Sequence, residues 1–148
     1  MSVVFKIGIT DKNNKKIENK ETIEVIASKG ILGDRYFHDF NGETEQITLI
    51  EKENIDYYNK MFNTNFDYLE FRRNIVTNNI QLNDLVGKTI FVGEIKLKVN
   101  DLCRPCKDLQ IRLGKDNIIK EFLRRGGLRC EILSTGTINV GDKISITT

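Results

Sequence analysis

Apolar and polar residues alternate from Val3 to Ile9, placing Phe5, Ile7 and Ile9 on one face and predicting a strand. A polar run rich in Asn and Lys, Asp11 to Asn19, is expected as an exposed turn or loop. Alternation resumes from Glu21 to Ala27 through Ile23 and Val25. Gln46 to Ile50 reads as a short strand entering a helix from Glu51 to Phe62, where Ile55, Tyr58 and Phe62 recur at helical spacing and read as core. Phe71 to Thr77 is a further expected strand. Thr89 to Val99 reads as a hairpin turning at Gly93-Glu94, because Gly in the first central position suits a type II′ turn. Ile118, Ile119, Phe122 and Leu123 mark a second amphipathic helix, stopped by Gly126-Gly127. Leu128 to Leu133 and Lys143 to Thr147 are closing strands around a Gly141-Asp142 turn.

The pattern amounts to about eight short strands and two or three helices. Strands that follow one another through turns favour an antiparallel, barrel-like sheet with helices outside it or at its ends. The expected class is mainly β, a β-rich α+β barrel. A parallel doubly wound sheet would need helices alternating regularly with strands. No repeat, low-complexity block or linker divides the chain, so residues 1–148 read as a single domain.

Composition narrows the function classes. The 148 residues are long enough to bury a core, and 39% hydrophobic with 30% charged residues is a globular rather than a disordered balance. Twenty-three basic against 21 acidic side chains give a net charge of +2, too even for wholesale nucleic-acid binding. The N-terminus lacks the apolar core and cleavage site of a signal peptide, and no apolar run is long enough to cross a bilayer. Three cysteines cannot all pair within the chain. The expectation is a cytoplasmic protein with no membrane or nucleic-acid partner, whose cysteines are ligands, nucleophiles or buried hydrophobes.

The sharpest local feature is Leu102-Cys103-Arg104-Pro105-Cys106-Lys107. Nearby cations favour a thiolate, which is both the metal ligand and the nucleophile. Pro105, the only proline, fixes a backbone angle immediately before Cys106 and so helps set that side chain's direction. Several readings stay open on spacing alone. Cys103, Cys106, Cys130 and His38 nominally supply four zinc ligands, but a second CxxC pair is missing. A thioredoxin-like redox pair belongs at a helix start in a βαβ setting, which the expected strand order does not offer. One or both thiols also read as buried small hydrophobes.

Two further segments carry polar candidates. Lys29-Gly30-Ile31-Leu32-Gly33-Asp34-Arg35 has glycines suited to a sharp bend and a close approach, and it is followed by His38, the only histidine. A lone histidine is commonly a hydrogen-bonded structural residue, and Asp34 with Arg35 also reads as a surface ion pair. In Phe71-Arg72-Arg73-Asn74-Ile75-Val76, adjacent arginines in a strand point to opposite faces, so at most one faces a given pocket. Guanidinium groups grip phosphate, and an Asn amide bonds heterocycle edges. The alternative is a strand edge protected by charge. Arg124, Arg125 and Arg129 add charge near Gly126-Gly127 and read mostly as solvated helix-end residues.

In order, these pieces resemble the MOSC family, named after the C-terminal part of molybdenum cofactor sulfurases. The matching elements are Gly30 to Arg35 with His38, Gln46 to Glu51, Phe71 to Val76, Leu82 to Gly87, the Cys106 segment, Gly126 to Leu133, and Gly136 through Gly141-Asp142. They span nearly the whole chain, about residues 23 to 146. Each is weak alone; order and spacing together are specific.

The resemblance implies a β-rich barrel with a cleft for the molybdenum cofactor, molybdopterin, at one side. It implies Cys106 as the characteristic cysteine, either a molybdenum ligand for reduction of N-hydroxylated substrates or a sulfur acceptor that carries a persulfide. Cys103 is then an accessory. Arg72 and Asn74 resemble positions that hold the pterin and its phosphate, and Asp34, Arg35, His38 and Arg104 fall in the same matching segments. A soft thiolate suits a soft, sulfur-rich metal centre. The larger relatives carry an additional N-terminal barrel or a pyridoxal-phosphate desulfurase domain, and this chain has neither. It also lacks a GxGxxG flavin or nicotinamide fingerprint. A separate electron-donor protein or a cysteine desulfurase is therefore the expected partner, alongside a small-molecule substrate. A non-catalytic cofactor-binding or storage module is the remaining alternative.

Overall fold

The computed structural model describes residues 1–13, 16–38 and 46–147. The strands in chain order are β1 (Val3–Thr10), β2 (Ile17–Lys20), β3 (Thr22–Ile26), β4 (Gly30–Ile31), β5 (Ile47–Glu51) and β6 (Ile75–Asn78). They continue as β7 (Thr89–Val92), β8 (Ile95–Leu102), β9 (Leu128–Ile132), β10 (Gly136–Asn139) and β11 (Ile144–Ile146). Helices α1 (Lys52–Met61), α2 (Lys107–Leu113) and α3 (Ile118–Glu121) and two 3₁₀ turns, Tyr68–Phe71 and Leu82–Leu85, complete the described elements.

Eight strands form one sheet in the order β11-β7-β8-β9-β5-β6-β1-β2. The sheet curls until its ends meet. The Val4 N–H donates to the Asp142 carbonyl, Gly141 N–H to Val4 and Ile144 N–H to Ser2, closing β1 against the start of β11. A three-stranded sheet, β10-β3-β4, packs its Ile23, Val25, Ile31 and Ile138 into the same core. The pairs are antiparallel except β5 with β6, which run parallel on either side of the α1 crossover. Parallel neighbours need such a crossover, since a tight turn cannot connect them.

Strand alternation divides the sheet into two faces. Ile47, Leu49, Ile75, Leu97, Leu128, Cys130 and Ile132 point into the barrel. Ile50 and Val76 point outward and are covered by Ile55 and Tyr58 of α1, Leu109 and Leu113 of α2, and Ile118 and Phe122. The helices thus exist to bury one apolar half of the outer face.

Several local expectations change. A bulge between Val4 and Lys6 turns Val4 inward and sends Phe5 out against Tyr68, so Phe5 does not share a face with Ile7 and Ile9. The polar run after β1 is partly strand: β2 pairs by backbone with β1 while its side chains stay largely in solvent, which is why no alternation announces it. Asn14 and Lys15 of that run lie outside the described residues. The segment from Phe71 is not a strand until Ile75, because a 3₁₀ turn ends at Phe71 and Arg72 adopts a left-handed conformation at φ 57°. Phe62 is exposed although its ring lies tilted against that of Tyr58 at 4.7 Å, and Ile119 and Leu123 are exposed as well. The hairpin turns as expected, with Gly93 at φ 61°.

Candidate functional site

The uncovered half of the sheet's outer face carries a polar row. Asp101 on β8 lies opposite Arg129 on β9, and Arg129 lies opposite Thr48 on β5. Thr48 meets Asn74, which leads into β6: Asn74 Oδ1 accepts the Thr48 N–H at 3.0 Å, and the Thr48 hydroxyl accepts the Asn74 N–H at 2.9 Å. The row ends at β1, where the Gly8 N–H donates to the Asn74 carbonyl and Asn74 Nδ2 donates to the Gly8 carbonyl at 3.1 Å. Asp34 crosses over this end. Its Oδ1 accepts the Thr10 N–H at 2.9 Å and its Oδ2 the Tyr36 N–H at 3.2 Å, pinning the loop after β4 to β1. Burial pushes the Asp34 carboxyl above its ordinary range, partly offset by those two N–H bonds, the Arg35 charge and the Asn74 amide.

Leaving β8, the chain passes Cys103, Arg104 and Pro105 to reach α2. The Cys103 N–H donates to the Gly127 carbonyl at 2.7 Å, and a Cβ on Gly126 would overlap the Cys103 carbonyl oxygen. Arg73 locks the same corner by donating Nε to the Gly126 carbonyl at 2.9 Å. Pro105 is buried, whereas Cys106 is exposed and occupies the N-cap position of α2 in an extended conformation. That position normally takes Ser, Thr, Asp or Asn, whose oxygen satisfies an unpaired helix N–H. Cys106 makes no such bond.

Alongside α2, cations converge on Arg72. Its guanidinium is held below its ordinary range by burial first, then by the charges of Arg112 and Arg35, while Asp108 and Tyr36 oppose the shift. The Arg35 guanidinium lies 4.7 Å from the Tyr36 ring centroid. Arg112 on α2 donates Nε to Asp108 at 3.2 Å and Nη1 to the Glu70 carbonyl at 3.3 Å. Lys16, Ile17, Glu70, Arg72, Arg112 and Leu113 line a cavity of about 270 Å³.

The fold therefore brings Arg72 and Arg35 together beside the helix that begins at Cys106. Asp34, next to Arg35, and Asn74, two residues from Arg72, are buried and engaged with backbone. Arg104 is exposed and bonds Asp101 at 2.9 Å, and Asp101 also meets Arg129 at 3.6 Å. His38 is exposed; its backbone N–H bonds the Lys29 carbonyl, and its ring makes no hydrogen bond among the described residues. Arg72 and Arg73 do diverge, but through the left-handed turn rather than strand alternation. The zinc quartet does not assemble: among the described residues, no three His, Cys, Asp or Glu side chains are placed to hold a metal ion. The Cys103 thiol instead acts electrostatically on Cys130 in the barrel interior, where burial drives the Cys130 thiol well above its ordinary range. The helix start expected of a redox pair is present at Cys106, although the βαβ unit lies elsewhere, at β5-α1-β6.

Lys16 and Arg112 were not singled out from the sequence, and Arg129 was read only as added charge near Gly126-Gly127. The Asp108–Arg112 spacing signals a helix after Cys106, but Lys16 sits in an otherwise polar run. Arg129 is a strand residue rather than a helix-end one. Its Nε is buried without a hydrogen-bond partner among the described residues.

The MOSC domain profile matches residues 34–145, which include the Asp34 brace, the Arg72 turn, Cys106 and the polar row from β5 to β9. The chain belongs to the MOSC domain family. This family is associated with molybdenum-cofactor binding. The MOSC fold is also shared by solved structures at low identity. The YUAD protein from Bacillus subtilis superposes with a TM-score of 0.83 at 16% identity, covering 99% of this chain and 96% of that one. YiiM from Geobacillus stearothermophilus gives 0.74 at 14%, covering 100% and 76%. YiiM from Escherichia coli gives 0.75 at 16%, covering 100% and 70%. No curated protein matches the chain by sequence. No helix among the described residues is long and apolar enough to cross a membrane.

Proposed function

We propose that this MOSC protein holds a molybdenum-pterin cofactor with the Cys106 thiolate as a metal ligand and Arg72 and Arg35 against its anionic part. The observation that carries the reading is Cys106 itself: an exposed thiol at a helix N-cap, making no cap bond, on the helix that flanks the Arg72 cluster. The residues present fit such a group. A soft thiolate suits molybdenum, clustered guanidinium groups suit a phosphate, and the unsatisfied Arg129 Nε on the polar row is a donor in want of an acceptor.

When bound, the cofactor supplies oxygen-transfer redox chemistry, and N-hydroxylated small molecules are the substrate class that the family resemblance suggests. The chain's own part is to bind and orient. Pro105 and the Cys103–Gly127 bond aim Cys106, Asn74 and Asp34 hold the floor and the loop, and the arginines compensate negative charge. A separate protein would donate the electrons. Metal and pterin analysis of protein made in a cofactor-competent cell tests this, with stoichiometric molybdenum expected and its absence overturning the reading.

The exposure of Cys106 favours a second reading, sulfur carriage. Its thiolate would attack the outer sulfur of a donor persulfide on a cysteine desulfurase, releasing the donor's thiolate and leaving a persulfide on Cys106. Mass spectrometry after incubation with a desulfurase and cysteine tests this; no added sulfur on Cys106 removes it.

A further inference from the structure

Arg73, the second arginine of its pair, bonds two backbone carbonyls from a half-buried position. Its Nε donates to the Gly126 carbonyl at 2.9 Å and its Nη1 to the Phe71 carbonyl at 3.2 Å. Phe71 ends the 3₁₀ turn, and Arg72, which stands between Phe71 and Arg73, is left-handed at φ 57°. One guanidinium therefore clasps the turn around Arg72 and reaches a corner 53 positions further along the chain.

That corner needs holding from outside. Two adjacent glycines, Gly126 and Gly127, leave its backbone unusually free. Its surroundings tolerate little movement. A Cβ on Gly126 would overlap the Cys103 carbonyl oxygen, and one on Gly127 would overlap that of Leu49. The thiol segment leans on the same corner, since the Cys103 N–H donates to the Gly127 carbonyl at 2.7 Å. Only Arg104 and Pro105 separate Cys103 from Cys106, and the proline ring removes one of the few backbone rotations between them. The Cys106 carbonyl then accepts the Gln110 N–H at 3.2 Å, so the segment passes directly into α2. A shift of the glycine corner reaches Cys106 with little slack to absorb it.

We propose that Arg73 is a positioning residue: by pinning the Gly126-Gly127 corner it fixes the segment that presents Cys106, and it ties that segment to the turn at Arg72. That the placement serves a metal ligand rests on the proposed function; the mechanical link from Arg73 to Cys106 does not.

Cys106 is the exposed cysteine, so a nitroxide attached there through a disulfide reports on the segment in the intact protein. The electron paramagnetic resonance spectrum of the labelled wild type should show a restrained label. Arg73→Met keeps the apolar stem and removes the donors, and should convert most of the signal to the narrow lines of a mobile label. Arg73→Lys keeps one donor group and should give an intermediate spectrum, while Lys60→Met on α1 should match wild type. Prolonged alkylation gives a second readout, because Cys103 lies in the segment and Cys130 in the barrel, both buried. In Arg73→Met, Cys103 should react about tenfold faster, the loss of one charge-assisted hydrogen bond, with Cys130 still protected.

An unchanged spectrum in Arg73→Met overturns the link. Equal acceleration at Cys103 and Cys130 also overturns it, since that is the mark of a residue that only stabilises the whole fold. Where Arg73→Met does not fold, Arg73→Lys decides: a label more mobile than in wild type upholds the link, and an unchanged one overturns it. Molybdenum content after expression in a cofactor-competent cell separates the two claims. A mobile label in Arg73→Met with as much molybdenum as wild type refutes the positioning of the ligand. A mobile label in Arg73→Met, when even the wild type acquires no molybdenum, upholds the link and removes the proposed function.

Discussion

Asn74 and Thr48 exchange three hydrogen bonds: Asn74 Oδ1 accepts from the Thr48 N–H and hydroxyl, and the Thr48 hydroxyl oxygen accepts the Asn74 N–H. With Nδ2 on the Gly8 carbonyl, the Asn74 side chain ties β5 to β1 across the start of β6. Asn74→Ala would leave buried backbone groups unpaired and should destabilise the fold by about 2–4 kcal/mol. Urea unfolding measures this. A loss below about 0.5 kcal/mol, the range of neutral surface substitutions, would show that the amide is not a brace.

Gly127 has φ 98°, and a Cβ there would overlap the Leu49 carbonyl oxygen. Gly87 has φ 84° but open space around it. Gly127→Ala should therefore prevent folding or cost more than about 3 kcal/mol, while Gly87→Ala bears only the conformational penalty of about 1 kcal/mol. Comparable urea midpoints for the two variants would contradict the close approach at Gly127.

Cys106 is the one exposed cysteine, with Cys103 at 7% and Cys130 at 0% exposure. Brief treatment of the native protein with iodoacetamide should add one label, at Cys106, and three after unfolding in urea. Intact-mass and peptide analysis reads this, and native labelling at Cys130 would contradict the packing. Because Ser is a better N-cap, Cys106→Ser should leave α2 as stable or more stable, by up to about 1 kcal/mol. A clear fall in melting temperature would mean that the thiol has a structural role.

Burial holds the Asp34 carboxyl above its ordinary range, so the folded protein binds that proton more tightly than the unfolded chain does. Its contribution favours folding below the unfolded value and is lost as pH rises through the raised folded value. The stability of wild type relative to Asp34→Asn should therefore fall as pH increases from about 4 through the window just above it. Urea midpoints across that range measure it, and a difference that grows with pH would contradict the assignment.

The barrel was legible where one face of a strand is buried: Ile23 and Val25, Ile90 and Val92, and Leu128, Cys130 and Ile132 all alternate in the sequence and all line the core. It was not legible where backbone geometry decides. The Val4–Lys6 bulge shifts the parity of Phe5, and β2 forms by pairing with β1 rather than by burying a face. The same limit applies at the site. Cys106 and the Arg72 segment stand out by residue type, but the turn that separates Arg72 from Arg73 is a single left-handed residue without a glycine signal. Lys16 and Arg112 come to line one cavity only through tertiary contacts, since they lie 96 positions apart in sequence.

The central claim is that the Cys106 thiolate holds the molybdenum. The most direct measurement is the molybdenum-to-protein ratio of wild type, Cys106→Ser and Cys103→Ser purified side by side from a cofactor-competent cell. The expected result is near-stoichiometric metal in wild type and Cys103→Ser, and loss of most of it in Cys106→Ser. Equal molybdenum in wild type and Cys106→Ser, or none in any of the three, would contradict it.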